Sequence, residues 1–400
     1  MKRIVILCDG TWNFAEAEHP TNVVRVSHAL APLGADGVAQ VPIYVEGVGT
    51  GRRGVTALTR GVDRLLGGAM GIGLIDNVVE AYRHLCFLYQ PGDEVHVFGF
   101  SRGAFTARSL AGFIRFTGLL DRTSLARLPE AVTRYSERLV LPAGRRQRRN
   151  AEWRAIHSPW VMVDPDDADI YAEFGNDEAI PFDIAYLGVW DTVGALGVPG
   201  HFTAAPLLNR RFTFHDTDLS AMVRSARHAV SVDERRTSFR PTLWTNLDAL
   251  NAGREGTPYR QAWFAGDHGS VGGGGEITAL SAIALLWVLE GAAEAGLEFD
   301  EIVLRALARE ADPMGPLHNA DPPRGGTIAA LMRRLGGPRD PVALFDHVHD
   351  AVRERWVFEA KDAGFRPYRP EPLRGLERDF AEWQDARLRP PEDGQGPRVA

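Results

Sequence analysis

The chain has 400 residues, 44% hydrophobic and 24% charged, enough apolar material for a sizeable core without disulfides or a structural metal. Its 45 basic residues against 52 acidic ones leave a net charge of −7, which argues against wholesale neutralisation of a nucleic-acid backbone. Two cysteines, Cys8 and Cys86, are too few for a disulfide framework or a four-thiolate zinc site and read as buried thiols.

Ile4–Cys8 is a short apolar run of strand type that stops at Asp9-Gly10-Thr11. It falls short of the about 7–15 apolar residues of a secretory leader. Val41–Val45 reads as a second strand, followed by Gly47-Val48-Gly49-Thr50-Gly51. Residues 72–89 place Ile72, Ile75, Val79, Tyr82 and Cys86 on one helical face. After the turn Pro91-Gly92-Asp93, Glu94–Phe98 reads as a strand and residues 102–114 as a helix. Ile184–Trp190 is a buried strand, residues 219–229 look helical, and Gln261–Ala265 is a strand. The apolar helix at 277–290 is too short, and too interrupted by Thr278 and Ser281, to span a bilayer. Strands alternating with helices predict an α/β fold, a mostly parallel sheet with helices on both faces.

The stretch 121–180 breaks this rhythm. It runs from an arginine-rich block into an acidic one lacking Lys and Arg from Asp164 to Asp183, so the two blocks either pair or present a two-toned surface. The segment reads as a solvated insertion over the sheet edge or as a lid over a site. Helical patterns continue from 300 to about 360, and a proline-rich end reads as a disordered tail.

The chemistry centres on Gly99-Phe100-Ser101-Arg102-Gly103. A G-x-S-x-G match is weak alone, but here a strand enters it and a helix leaves it, the setting of a nucleophile elbow that lifts a serine above the sheet. Such a serine needs a base and a carboxylate to orient the base, in the chain order Ser, Asp, His. Asp191 ends the strand Ile184–Trp190, and His268 follows the strand ending at Ala265. Both therefore fall in loops at the sheet edge that carries Ser101. Considered singly, a strand-end Asp is a common turn former and a lone His a common polar surface residue. The oxyanion of an acyl intermediate needs two donors. The N–H of Arg102 is one candidate and the Gly10-Thr11 loop the other.

Two further motifs lead elsewhere. Asp9-Gly10-Thr11 resembles the loop of haloacid-dehalogenase-like phosphatases, but Leu7 stands where their nucleophilic aspartate would be. Gly49-Thr50-Gly51-Arg52-Arg53-Gly54 fits a dinucleotide fingerprint, yet the nearest acidic partner, Asp76, falls in a predicted helix. No cofactor and no metal site is expected.

Several segments together carry a resemblance. They are Cys8-Asp9-Gly10-Thr11-Trp12-Asn13, Thr21-Asn22-Val23, Gly47–Gly51, Tyr89–Asp93, Gly99–Arg108, Gly188–Gly194 and His228–Arg236. In this order, over about residues 1–290, they resemble an uncharacterised α/β-hydrolase domain family. That family includes the Tle1-like catalytic domain of type VI secretion phospholipase effectors. The resemblance implies an α/β-hydrolase with Ser101, Asp191 and His268 as its triad, cleaving an acyl ester of lipid type. Two departures bear on substrate choice: Ser270 replaces an aspartate and Gly275 an aromatic residue.

The resulting expectation is an α/β-hydrolase-like catalytic domain over 1–295 with the insertion at 121–180. A helical extension over 296–385 packs on it, and 386–400 forms a tail. The protein is expected to act on a small-molecule or lipid ester, with peripheral membrane contact open and no nucleic-acid partner. The alternatives are a soluble carboxylesterase or amidase and a non-catalytic binding protein on the same fold. Cytoplasmic location is expected, with non-classical delivery if the protein is an effector.

Overall fold

Side-chain alternation along β1 (Arg3–Cys8) decides what covers each face of the sheet. Ile4, Ile6 and Cys8 join one apolar cluster, and Val5 and Leu7 join another. A computed structural model of the chain describes residues 1–47, 70–136, 143–194, 217–319, 336–358 and 366–388. The other strands are β2 (Gln40–Val45), β3 (Glu94–Phe100), β4 (Val161–Met162), β5 (Ile180–Pro181), β6 (Tyr186–Trp190), β7 (Ala226–Ser231) and β8 (Tyr259–Phe264). Six of them form one sheet in the order β2-β1-β3-β6-β7-β8, parallel at every pairing, while β4 and β5 pair only with each other.

The helices that place the site are α1 (Asn22–Ala29), α2 (Met70–Leu88), α3 (Arg102–Thr117), α4 (Ala143–His157), α5 (His268–Gly272) and α6 (Ala279–Glu294). The cluster under α2 and α3 gathers Val78, Tyr82, Leu85, Ala104 and Leu110 against Ile4, Ile6 and Val97. On the other face Val23 and Val26 of α1, with Leu285 and Val288 of α6, pack on Val5, Leu7, Phe98 and Trp190. Helices on both faces are what an all-parallel sheet requires, since its crossovers must return over it. The fold is α/β.

One predicted element is corrected. Residues 219–229 space Leu219, Met222, Val223 and Ala226 as a helix would, but Ala226–Ser231 is strand β7, buried at all six positions between β6 and β8. A strand covered on both faces loses its polar alternation, and Arg227 and His228 within it hide the apolar run. Arg227 is held there by Glu294, whose oxygens lie at 2.8 and 2.9 Å.

The described part of 121–180 packs at the far end of α3. Arg154 of α4 donates to the carbonyls of Arg115 and Phe116, satisfying the open C-terminal end of that helix. Ser101 sits at the other end of this 16-residue helix, about 24 Å away. The basic and acidic blocks pair: Arg154 with Asp167 at 2.5 Å, buried, then Arg148 with Glu173 and Arg115 with Asp164 nearer solvent.

Beyond residue 300 the chain closes the β8 edge. Val348 bridges to Trp263, and the N–H of His349 donates to the Trp263 carbonyl at 3.1 Å. Val352 and Trp356 of α7 (Asp350–Val357) and Phe380 of α8 (Glu377–Leu388) share a core with Val230, Val232 and Trp263. Residues 386–388, read as tail, belong to α8, and the rest of that tail lies outside the described residues.

Candidate active site

β1 and β3 are neighbours whose connections leave in opposite directions along the sheet, so their carboxyl ends form a switch point where α/β sheets collect ligands. Ser101 stands there with φ 58° and ψ −120°, a conformation that costs a non-glycine residue energy and persists only when its surroundings impose it. The surroundings are on both sides. Its N–H donates to the Trp190 carbonyl at 3.0 Å, and α3 starts at the next residue. A Cβ on Gly103 would lie 2.1 Å from the Cys8 carbonyl, so only glycine lets the first turn of α3 close on β1.

Asp191 follows β6 and is also held at positive φ, 38°, with its N–H donating to the Ala229 carbonyl at 2.7 Å. His268 opens α5, which Asp267 caps by accepting from the Ser270 N–H. The three side chains form one chain of contacts. His268 Nδ1 lies 2.6 Å from Asp191 Oδ2, and His268 Nε2 lies 2.8 Å from Ser101 Oγ. A carboxylate only accepts, so Nδ1 carries the proton and Nε2 is left to accept from the serine hydroxyl. The rings of Phe100 and Phe239 hold the imidazole, with centroids 4.6 and 4.8 Å away.

The Gly10-Thr11 loop lies beside the serine, since a Cβ on Gly10 would come within 3.3 Å of Ser101 Cβ. The Gly10 N–H donates to Asp9 Oδ1 at 2.7 Å. Asp9 Oδ2 accepts from Thr21 and Tyr44, each at 2.8 Å, and burial raises its carboxyl above the usual range. The Thr11 hydroxyl is buried without a hydrogen-bond partner among the described residues. Arg102 supplies the first N–H of α3, and burial lowers its guanidinium to about 10.

Four residues around the site have no role assigned from the sequence. The Ser231 N–H donates to Asp191 Oδ1 at 2.9 Å, a consequence of β7 being a strand. Phe239 packs on the imidazole and Arg236 stacks over Phe239 at 3.7 Å. Arg339 donates from Nη1 to Asp191 Oδ1 at 2.7 Å and from Nη2 to Oδ2 at 2.8 Å. Burial alone would raise the Asp191 carboxyl, but the Arg339 guanidinium and the His268 hydrogen bond outweigh it and hold it well below the usual carboxylate range. One arginine among 43, far along the chain and without a motif, gives no signal by itself.

Both departures from the resembled family have a structural counterpart. Asp267, one residue before His268, accepts from the Ser270 N–H and hydroxyl, so a carboxylate sits next to the position that Ser270 leaves uncharged. A Cβ on Gly275 would lie 2.1 Å from the Asn319 carbonyl, so a later segment fills the space of the missing aromatic ring. The dinucleotide-like Gly49–Gly54 and most of the Gly47–Gly51 loop lie outside the described residues.

Two buried histidines, His228 beside the site and His96 farther back on β3, link stability to pH. His228 accepts from the Thr192 N–H at 3.2 Å and contacts Gln261 at 3.0 Å. Burial and the Arg108 charge push it to about 3, and burial pushes His96 to about 3 as well. Both stay neutral in the folded chain and titrate near pH 6.5 once unfolded, so their penalty is absent above 6.5 and grows as pH falls toward 3. Urea midpoints measured from pH 7.5 to 5 should therefore fall, with stability dropping by up to about 3 kcal/mol per pH unit below 6. A flat profile would mean that these histidines are solvated.

Residues 2–291 match the family described as type VI secretion system phospholipase effector Tle1-like, catalytic domain. The uncharacterized protein YEL023C of Saccharomyces cerevisiae is 27% identical over 252 residues, 62% of this chain and 33% of that protein. The chain thus spans about a third of the curated relative it matches. A crystal structure of an uncharacterized Pseudomonas aeruginosa protein is 18% identical, with 98% of this chain and 60% of that one covered and a TM-score of 0.42. The Tle1 effector bound to the VgrG spike of the type 6 secretion system is 16% identical, with 70% and 52% covered and a TM-score of 0.35. Among the described residues no helix is long and apolar enough to cross a membrane.

Proposed function

Because the chain belongs to the family of Tle1-like catalytic domains of type VI secretion phospholipase effectors, we propose that it is an α/β-hydrolase that cleaves an acyl ester of a lipid. The observation that carries this reading is the continuous contact from Ser101 Oγ through His268 to Asp191, at 2.8 and 2.6 Å. Ser101 Oγ attacks the acyl carbonyl carbon while its proton passes to His268 Nε2. The carbonyl oxygen becomes an oxyanion at the N-terminal end of α3, where the Arg102 N–H and the helix dipole favour negative charge. Thr11 supplies the second donor, since Gly10 is engaged by Asp9. The tetrahedral intermediate collapses with cleavage of the bond to the leaving alcohol, which takes the proton from His268. Water, deprotonated by His268, then attacks the acyl-enzyme, and the fatty acid leaves as the Ser101 hydroxyl re-forms.

The acyl specificity is tested by giving the full chain phospholipid vesicles and p-nitrophenyl esters of short and long chains. Fatty acid released from vesicles, with turnover rising with acyl length, is the expected result. Turnover of short esters with none from vesicles would replace the lipid substrate by a soluble ester.

A further inference from the structure

The carboxylate that orients His268 is gripped from outside the family-matched residues, which end at 291. Arg339 closes on both oxygens of Asp191, and the two side chains are 3% and 0% exposed. Nη2 also donates to the carbonyl of Phe239, whose ring packs on the imidazole. The same later part of the chain reaches the histidine loop: the Leu317 carbonyl accepts from the Asp267 N–H at 3.0 Å and the Ser270 hydroxyl at 2.9 Å, and His318 contacts Asp267 at 2.9 Å.

Four donors converge on Asp191: the Ser231 N–H, two guanidinium nitrogens and His268 Nδ1. Orientation of an imidazole does not by itself call for a second full positive charge on the carboxylate. That charge has a consequence when Ser101 gives up its proton, because imidazolium and guanidinium then share one anion. The other charged or titratable groups nearby are Glu234, which accepts from the His268 N–H at 3.3 Å and pairs with Arg236, and Asp267 and His228 on the neighbouring loop and strand.

Resting on the reading of Ser101, His268 and Asp191 given above, we propose that Arg339 is a positioning residue of this site. Its planar fork fixes the rotamer of Asp191, and its charge sets how readily His268 takes the serine proton. The catalytic unit therefore extends past residue 295, and the C-terminal region is part of the site.

The test uses the full chain and a fluorophosphonate, which reads the serine without knowledge of the natural substrate. A bond forms between Ser101 Oγ and phosphorus, fluoride leaves, and the serine proton passes to His268. Labelling rates are followed from pH 5 to 9 for the wild type, Arg339→Lys and Arg339→Met, with folding checked by near-UV circular dichroism. Arg339→Met is expected to lower the plateau by about 10²-fold through lost orientation. Losing the positive charge makes His268 easier to protonate, so the acid limb should move up by about one pH unit. Arg339→Lys keeps the charge and loses the fork, so its plateau should fall while the limb stays in place. A folded Arg339→Met with the wild-type profile, or with a lowered plateau and an unmoved limb, would overturn the inference alone. So would failure of both variants to fold, which would make the residue purely structural. Wild type that is folded yet unlabelled at Ser101 would overturn the hydrolase reading as well.

Discussion

Ser101→Ala should reduce ester cleavage by about 10⁶-fold, to the level set by binding and oxyanion stabilisation alone, and should abolish fluorophosphonate labelling. The size follows from the role: among the described residues no other hydroxyl lies on His268 Nε2, which contacts Ser101 Oγ at 2.8 Å. The variant should fold, because alanine removes one hydroxyl from a position whose backbone is fixed by the Trp190 carbonyl and the start of α3. Activity is measured as fatty acid or p-nitrophenol release beside the wild type. Retention of more than about 1% of the rate in a folded variant would remove Ser101 from the nucleophile's place.

The second large effect is expected at Asp191. Among the described residues the groups hydrogen-bonded to its carboxylate are all donors, from Ser231, Arg339 and His268. Asparagine brings a donor of its own into that set. Its NH₂ must face either Ser231 and Arg339 or Arg339 and His268, and in the second case the imidazole is driven to the tautomer that cannot accept the serine proton. Asp191→Asn should therefore lower kcat by about 10⁴-fold with little change in KM. It should also lower stability by about 3–5 kcal/mol, because the Arg339 charge stays buried without its counter-ion. Urea unfolding at pH 7 with kinetics on the same preparation checks both. A loss of activity without any loss of stability would mean that Arg339 finds another anion.

Much of this site was legible from local pattern. The elbow announced itself because strand, G-x-S-x-G and helix are contiguous, so the strained turn at Ser101 is encoded within a few residues. Asp191 and His268 were readable because Asp191 directly follows one apolar strand and His268 lies in the short loop after another, and parallel strands deliver their carboxyl ends to one edge of the sheet. The Gly10 loop lies beside Ser101 because β1 and β3 are neighbours, and the bond of its N–H to Asp9 is visible only in the structure.

The sequence by itself thus determined the alternating α/β order, the serine's turn and the strand ends that hold its partners, because all of these are properties of short contiguous segments. Tertiary structure decided the rest. Residues 226–231 became strand β7 against their helical spacing, because a place between β6 and β8 buries both faces. The described part of 121–180 went to the far end of α3, where Arg154 found open carbonyls. Arg339 met Asp191 across 148 positions of chain, a contact with no local signature, selected by the buried carboxylate's need for a counter-charge.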